Sequence, residues 1–380
     1  MNDDFLSKRV VADFCAAFRK NPRIDEFGFV YCPEKTVNKS PVTVEGNKLG
    51  VETWCLKIVS PFIHRQLLSQ RHGKDKSKLQ EYSKVALLLN PECSTFWNIR
   101  KELFQRKYFT ALTELKFTNI ILTCHPKSPE TYVHKRWIVR HAFTKQAEGN
   151  VDNRIVDTDE QTQTALDTEM EGSRVAASGY PSNYNAWSHR IWTVKALARC
   201  SAEVLESELE NTKSWVRQHV SDHSGLQYRQ FLLSEHRQKC LLEEHLLKEF
   251  QFLDDLLISY PGHEALWNHR RALYHLAVQS QEGLGHQTEE LSTENASVKS
   301  SLTGLEDPIE PLGAGSLVEE NKSHTGEGEG VRLTSINEMV NPLLEKKRAL
   351  AILEETSTSD SKIQERHYKL YIQWLDRFKT

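Results

Sequence analysis

Five cations recur at one fixed offset in this chain. Arg100, Arg190 and Arg270 stand nine residues after Pro91, Pro181 and Pro261; Lys135 stands nine after Pro126, and Arg229 nine after Val220. A buried-leaning guanidinium calls for a carboxylate, a carbonyl or an aromatic plane. His134, His189 and His269 each precede one of these cations. A metal needs such ligands to converge on one point, whereas a repeat spaces them along a line, so the pattern predicts no metal site. The seven cysteines, Cys15, Cys32, Cys55, Cys93, Cys124, Cys200 and Cys240, are scattered and odd in number, with no C-x-x-C pair. They read as reduced intracellular thiols. Lys127 differs from the repeated cations. It follows Pro126 in a turn, where a lysine is a mobile point charge suited to meeting phosphate oxygens across an interface. No metal-ligand or nucleophile set stands out, so the chain alone is expected to lack catalytic activity.

The elements that must carry these residues are helical. Tyr180 to Trp192 shows the unit best. Pro181 stops whatever precedes it, Asn183 is a good N-cap, and Trp187, Ile191, Val194 and Ala198 recur at helical spacing. Trp187 and Arg190 share a face. The other copies place Trp97, Tyr132, Leu226 and Trp267 six residues after their first position. The basic positions step by 35, 55, 39 and 41 residues. Periods of this size mean stacked helical pairs, none of which can bury its own face without neighbours. Trp97, Tyr132, Trp187 and Trp267 are expected in the packing between helices, and Arg100, Arg190, Arg229 and Arg270 as bridges between adjacent repeats. Tyr184 either covers the Trp187 face or meets a partner.

The 380 residues carry a formal net charge of −3. That balance gives no reason to expect a nucleic-acid partner, which would need a basic stripe. The acidic start Met1-Asn2-Asp3-Asp4 is unlike a signal peptide, and no apolar run approaches transmembrane length, so a soluble, cytoplasmic protein is expected. Four regions follow. Residues 1–45 read as an N-terminal helix and an extended arm. Residues 46–280 read as the solenoid with its five repeats, opened by a helix at about 50–71 that Pro61 kinks or breaks. Residues 281–333 read as an acidic disordered insertion. Over 281–330 there are 11 acidic residues against Lys299 and Lys322, and no aromatic residue, so there is too little apolar surface to offset ordering. Residues 334–380 read as capping helices. A second polar, acidic insertion falls at about 145–160.

Tandem Pro-x-Asn-Tyr-x-x-Trp-x-x-Arg units are a mark of protein prenyltransferase α subunits, and Tyr180 to Trp192 resembles that unit almost residue for residue. The resemblance covers about residues 90–275. It implies an all-α fold, a right-handed superhelical solenoid of antiparallel helical hairpins wrapped around a separate β subunit. That β subunit would hold the zinc and the isoprenoid, leaving this chain without a cofactor. The resemblance also implies that Lys127, inside Pro126-Lys127-Ser128, faces the lipid diphosphate, and that Asn183 and Tyr184 lie at the same interface. Pro129 replaces a tyrosine of the family pattern. Positioned cations and hydroxyls would stabilise the charge that builds on a leaving diphosphate. Pro126-Lys127-Ser128 is most similar to the Rab geranylgeranyltransferase type, which favours a β subunit of that type and geranylgeranyl transfer to a C-terminal cysteine of a protein substrate.

A reading from another class is a tetratricopeptide-like scaffold that binds proteins without catalysis. Its 34-residue consensus places Trp, Leu-Gly and Tyr early and Ala and Pro late. The units here join Pro, Trp and Arg at offsets of six and nine, which favours the first reading.

Overall fold

A computed structural model describes residues 3–32, 34, 40–70, 75–144, 155–237, 242–299, 335–356 and 361–379. The described chain is an α-α solenoid built of antiparallel hairpins, with one small sheet. It divides into two compact units, Met1–Val204 and Leu205–Thr380.

The first unit opens with α1 (Asp3–Lys20). Its Val10, Val11 and Phe14 are buried, with Asp3 and Asp4 in the first turn and Arg19 and Lys20 in the last, matching the helix dipole at both ends. The segment expected to be an extended arm instead supplies two strands of a sheet, β1 (Glu26–Val30) and β2 (Val42–Glu45), around β3 (Lys48–Glu52) in the order β1-β3-β2. β1 runs parallel to β3 and β2 antiparallel to it. Phe27, Leu49 and Val51 are buried, and this alternation decides for strand. Gly46, at φ 57°, closes the two-residue β2–β3 turn, a conformation open to glycine at no steric penalty. Lys48–Glu52 is therefore strand, and the helix expected from about residue 50 starts after it, as α2 (Leu56–Gln70). α2 runs as one helix through Pro61 rather than breaking there.

The hairpins follow as α3 (Lys76–Leu89) with α4 (Ser94–Gln105), α5 (Ala111–Cys124) with α6 (Pro129–Val139), and α7 (Ile155–Gly179) with α8 (Tyr184–Ala196). A π-helical turn, Arg140–Thr144, ends α6. Most of the polar insertion, 145–154, lies outside the described residues. Phe14, Phe27, Leu49, Phe62, Leu87, Trp97 and Ile121 belong to one apolar core, which joins sheet and helices.

The second unit contains most of α9 (Ala202–Gln218), then α10 (His223–Arg237), α11 (Leu242–Ser259), α12 (Glu264–Lys299), α13 (Ile336–Met339), α14 (Pro342–Glu355) and α15 (Ser361–Leu375). α12 carries helix to Lys299, past the expected start of disorder at 281, because Glu289 to Lys299 offers helix formers and no proline. The rest of that expected insertion, 300–333, lies outside the described residues. Gln364 fastens α15 to the α11–α12 hairpin. Its Oε1 accepts from the Gly262 amide at 2.8 Å and from Trp267 Nε1 at 3.0 Å. No described helix is long and apolar enough to cross a membrane.

Candidate functional site

The six-residue offset has a physical cause. In repeat one, Trp97 Nε1 donates back to the Pro91 carbonyl at 2.7 Å; in repeat two, the Tyr132 hydroxyl donates to the Pro126 carbonyl at 2.9 Å. In these two repeats the aromatic side chain thus closes the turn that precedes its own helix. Trp97, Tyr132, Trp187 and Trp267 are all buried.

The nine-residue offset serves a second purpose. Arg100 grips Glu114 through two N–H groups, Nε to Oε1 at 2.6 Å and Nη2 to Oε2. The same Oε1 also accepts from His134 Nε2 at 2.8 Å. The arrangement recurs. Glu169 takes Lys135 at 2.8 Å and His189 at 2.6 Å; Glu249 takes Arg229 and, at 2.9 Å, His269. Glu345 takes Arg270 at 2.5 Å and the Tyr371 hydroxyl at 2.6 Å. Each glutamate therefore pairs with the cation of one hairpin and with the histidine or tyrosine of the next. Arg190, also buried, donates to the Met170 carbonyl at 2.5 Å.

Burial alone would raise these carboxyls. Arg100 and His134 outweigh it and hold Glu114 at about 2, and Lys135 with His189 likewise lowers Glu169. Burial pushes the His134 and His189 rings below the ordinary histidine value, and their glutamates only partly oppose it. The glutamates were the residues that repeat reading missed. Their signal is present in the sequence, since Glu114, Glu169 and Glu249 each stand 20 residues before His134, His189 and His269. Each histidine is committed to its own glutamate, and no cluster of three or more metal-ligating side chains occurs among the described residues.

The exposed cation Lys127 sits elsewhere, where two helix N-termini meet. Ser128 caps α6, its Oγ accepting from the Thr131 amide at 3.3 Å, and Pro129 follows at the first helical position, where a missing N–H does no harm. Replacement of the family's tyrosine by Pro129 is thus a helix-start choice. Asn183 caps α8, accepting from the Ala186 amide at 3.3 Å. Its Nδ2 donates to the Pro126 carbonyl at 2.7 Å and to the Ala176 carbonyl at 3.0 Å. Asn185 Nδ2 adds a bond to the Lys127 carbonyl at 3.0 Å. Ser182 accepts a left-handed φ of 51° to make this turn, where the fifth repeat has Gly262 at φ 87°.

Lys127 Nζ lies 4.3 Å from the centre of the Tyr180 ring, so its charge is laid on an aromatic face rather than left mobile. Tyr184, expected at an interface, is 65% exposed and so does not cover Trp187. Asn183, expected there too, is fully buried; its amide is spent on cap and carbonyls, so it positions the turn instead. Two features favour an anion here, the lysine and the partial charge of two adjacent helix N-termini, against one acid in the first turn of α6, Glu130. A turn of this kind can receive an anion.

Comparison with known proteins identifies what these hairpins are similar to. The repeat described as Protein prenyltransferase alpha subunit repeat matches residues 166–197, 205–236 and 246–277, which are the α7–α8, α9–α10 and α11–α12 pairs. The chain is 40% identical over 317 residues to Protein prenyltransferase alpha subunit repeat-containing protein 1-B of Xenopus laevis, covering 73% of this chain and 74% of that protein. It is 39% identical over 315 residues to the repeat-containing protein 1 of Homo sapiens, covering 71% and 78%. Geranylgeranyl transferase type-2 subunit alpha of Homo sapiens is 26% identical over 219 residues, which span 52% of this chain and 34% of that subunit.

Proposed function

The chain belongs to the protein prenyltransferase alpha subunit repeat family, and on that premise we propose that it is the α-type subunit of a heterodimeric protein prenyltransferase. The lipid would be geranylgeranyl, joined to a C-terminal cysteine of a protein substrate. The detectable likeness to a geranylgeranyl transferase α subunit and the Pro126-Lys127-Ser128 turn support this choice of lipid. The reaction breaks the allylic C–O bond to the diphosphate and forms a thioether with the cysteine sulfur. Negative charge grows on the departing diphosphate, and a cation fixed beside it lowers the barrier.

The observation that carries the reading is Lys127. It is exposed, rests on Tyr180, and stands at the joined N-termini of α6 and α8. Zinc, the lipid pocket and activation of the thiol would belong to a β subunit of the Rab geranylgeranyltransferase type. The three histidines that precede the repeat cations, His134, His189 and His269, are tied one by one to buried glutamates, which suits a scaffold. The site of action proposed is the cytoplasm.

The test is reconstitution. The tagged chain is co-expressed with a β subunit of the Rab type, purified, and assayed for geranylgeranyl transfer to a protein ending in cysteine. A stable complex that transfers lipid, beside an inactive isolated chain, is the expected result. Zinc-dependent turnover by the isolated chain, or failure of the two chains to associate, refutes the reading.

A further inference from the structure

Four repeat cations, Arg100, Lys135, Arg229 and Arg270, are paired with buried glutamates, but one pair of arginines has no carboxylate among the described residues. Arg136 and Arg140 stand one turn apart at the end of α6, and both guanidinium carbons approach the ring of Trp192 on α8, at 5.7 and 5.6 Å. Arg136 is half-buried. Its Nε donates to His189 Nδ1 at 3.4 Å and its Nη2 to Ser188 Oγ at 3.4 Å, both neutral acceptors. Arg140 is exposed. No carboxylate pairs with either arginine among the described residues. A guanidinium carries five N–H donors, so most of those on this pair are left for another acceptor.

The surroundings are cationic and aromatic. Lys101 on α4 lies 5.7 Å from the Trp137 ring, and His141 stacks on that same ring at 3.9 Å. α8 contains no acidic residue, and the one acid of α6, Glu130, is in its first turn. Tyr184, Ser188 and Trp192 recur every four residues and so share the α8 face toward which Arg136 reaches. Placing two guanidiniums side by side, one half-buried, is unfavourable in the free chain. Burial and the Arg140 charge together lower the Arg136 pKa from its usual range. An acid received from outside would relieve both penalties, and a guanidinium fork matches the planar, two-oxygen geometry of a carboxylate.

We propose that Arg136, Arg140 and Trp192 form a clamp for an acidic side chain of the partner β subunit, making this face an assembly contact separate from the Lys127 site. The proposal rests on the heterodimer reading above. It assigns the contact to protein carboxylates, by charge complementarity. The clamp also sits on the internal ladder, because Arg136 donates to the His189 nitrogen that Glu169 leaves open.

The experiment measures affinity of the full chain for a Rab-type β subunit by calorimetry, at two salt concentrations. The parent is compared with Arg136→Ala, Arg140→Gln and the double variant, with Lys57→Ala as a control. Truncating one side of a desolvated, hydrogen-bonded charge pair weakens binding by roughly 30-fold or more, so the double variant should lose at least that, with a flatter salt dependence. Lys57→Ala should bind as the parent. Arg140→Gln removes an exposed group without a carboxylate partner among the described residues, so it should melt as the parent and keeps the test valid if Arg136→Ala folds poorly. Parental affinity in both Arg140→Gln and the double variant overturns the clamp while leaving the heterodimer standing. Absence of binding by the parent overturns both.

Discussion

The Glu169 carboxylate and the His189 ring lie 2.6 Å apart, 20 positions apart in sequence, and both are fully buried. The same relation joins Glu114 to His134 and Glu249 to His269. It makes the hairpin interfaces sensitive to acid in two stages. His134 and His189 have folded pKa values lowered from 6.5, so the unfolded chain takes up protons first and stability drops as pH falls below about 6.5. Glu114 and Glu169 have folded values lowered from 4.5, Glu114 to about 2; their contribution is present above about 4.5 and is lost as pH falls below it. Urea midpoints should therefore hold steady between about pH 7 and 8, decline below about 6.5, and decline more steeply below about 4.5. A midpoint unchanged between pH 8 and 5 contradicts the histidine stage.

Glu114→Gln should be strongly destabilising. It leaves Arg100, 3% exposed, without its charge partner and disturbs the His134 bond. Breaking a buried pair by removing one member costs about 3–5 kcal/mol. Chemical denaturation of the single variant is the measurement. A loss below 1 kcal/mol would mean that solvent reaches Arg100.

Much of this was legible in the sequence. The offsets of six and nine placed the helices and the cations, because the bonds from Trp97 to Pro91 and from Arg100 to Glu114 are what fix those distances. The strands β1 and β2 were not legible as strands, since the segment between them is interrupted by Pro33, Asn38, Ser40 and Pro41, and it is pairing to Lys48–Glu52 that orders them. At the candidate site, the Lys127 turn was legible from Pro126. Its rest on Tyr180 was not, because that contact spans two hairpins. Asn183 was legible as a cap. That its Nδ2 is spent on Pro126 and Ala176 carbonyls follows only from the packing of one turn on another.

Gly172→Ala offers a test with opposed terms. Alanine is the better helix former by about 1 kcal/mol. A Cβ at Gly172 would, however, meet Asn119 Oδ1 at 2.1 Å. Asn119 bonds the Thr168 carbonyl at 2.8 Å and Lys135 Nζ at 2.5 Å, so it cannot turn away without losing both. The close approach of α5 and α7 should decide the sign, giving a net loss of about 1–3 kcal/mol. A raised melting temperature would show that Asn119 yields freely.

Asn183→Ala removes a cap and two carbonyl contacts at once, and should destabilise by about 2–3 kcal/mol. Asn183→Asp separates the contributions. It keeps an oxygen to accept from Ala186 but sets a carboxylate against the Pro126 and Ala176 carbonyls. It should therefore be no more stable than the alanine variant, despite aspartate being as good a cap in isolation. An aspartate variant as stable as the parent would place the Asn183 amide outside the turn.

Lys127→Ala should slow transfer while leaving assembly and thermal stability unchanged. The side chain is exposed, and its one ring contact, Tyr180, is itself 43% exposed, so little folding free energy is at stake. A full oxyanion-type donor contributes ~10²–10³ in rate; a charge that shares the diphosphate with partner residues should contribute toward ~10-fold. Lys127→Arg keeps the charge and should recover part of the rate. Tyr180→Leu keeps the lysine but removes the face that holds it, so its effect should be smaller than that of Lys127→Ala and in the same direction. Single-turnover transfer by the reconstituted heterodimer, at saturating lipid diphosphate, separates these cases from changes in lipid affinity. If Lys127→Ala transfers at the parental rate, the lysine is a turn residue only, and the leaving diphosphate does not reach the joined N-termini of α6 and α8. If Lys127→Ala is slow but Tyr180→Leu is not, the charge acts without being held, and the cation–π contact belongs to the free chain alone.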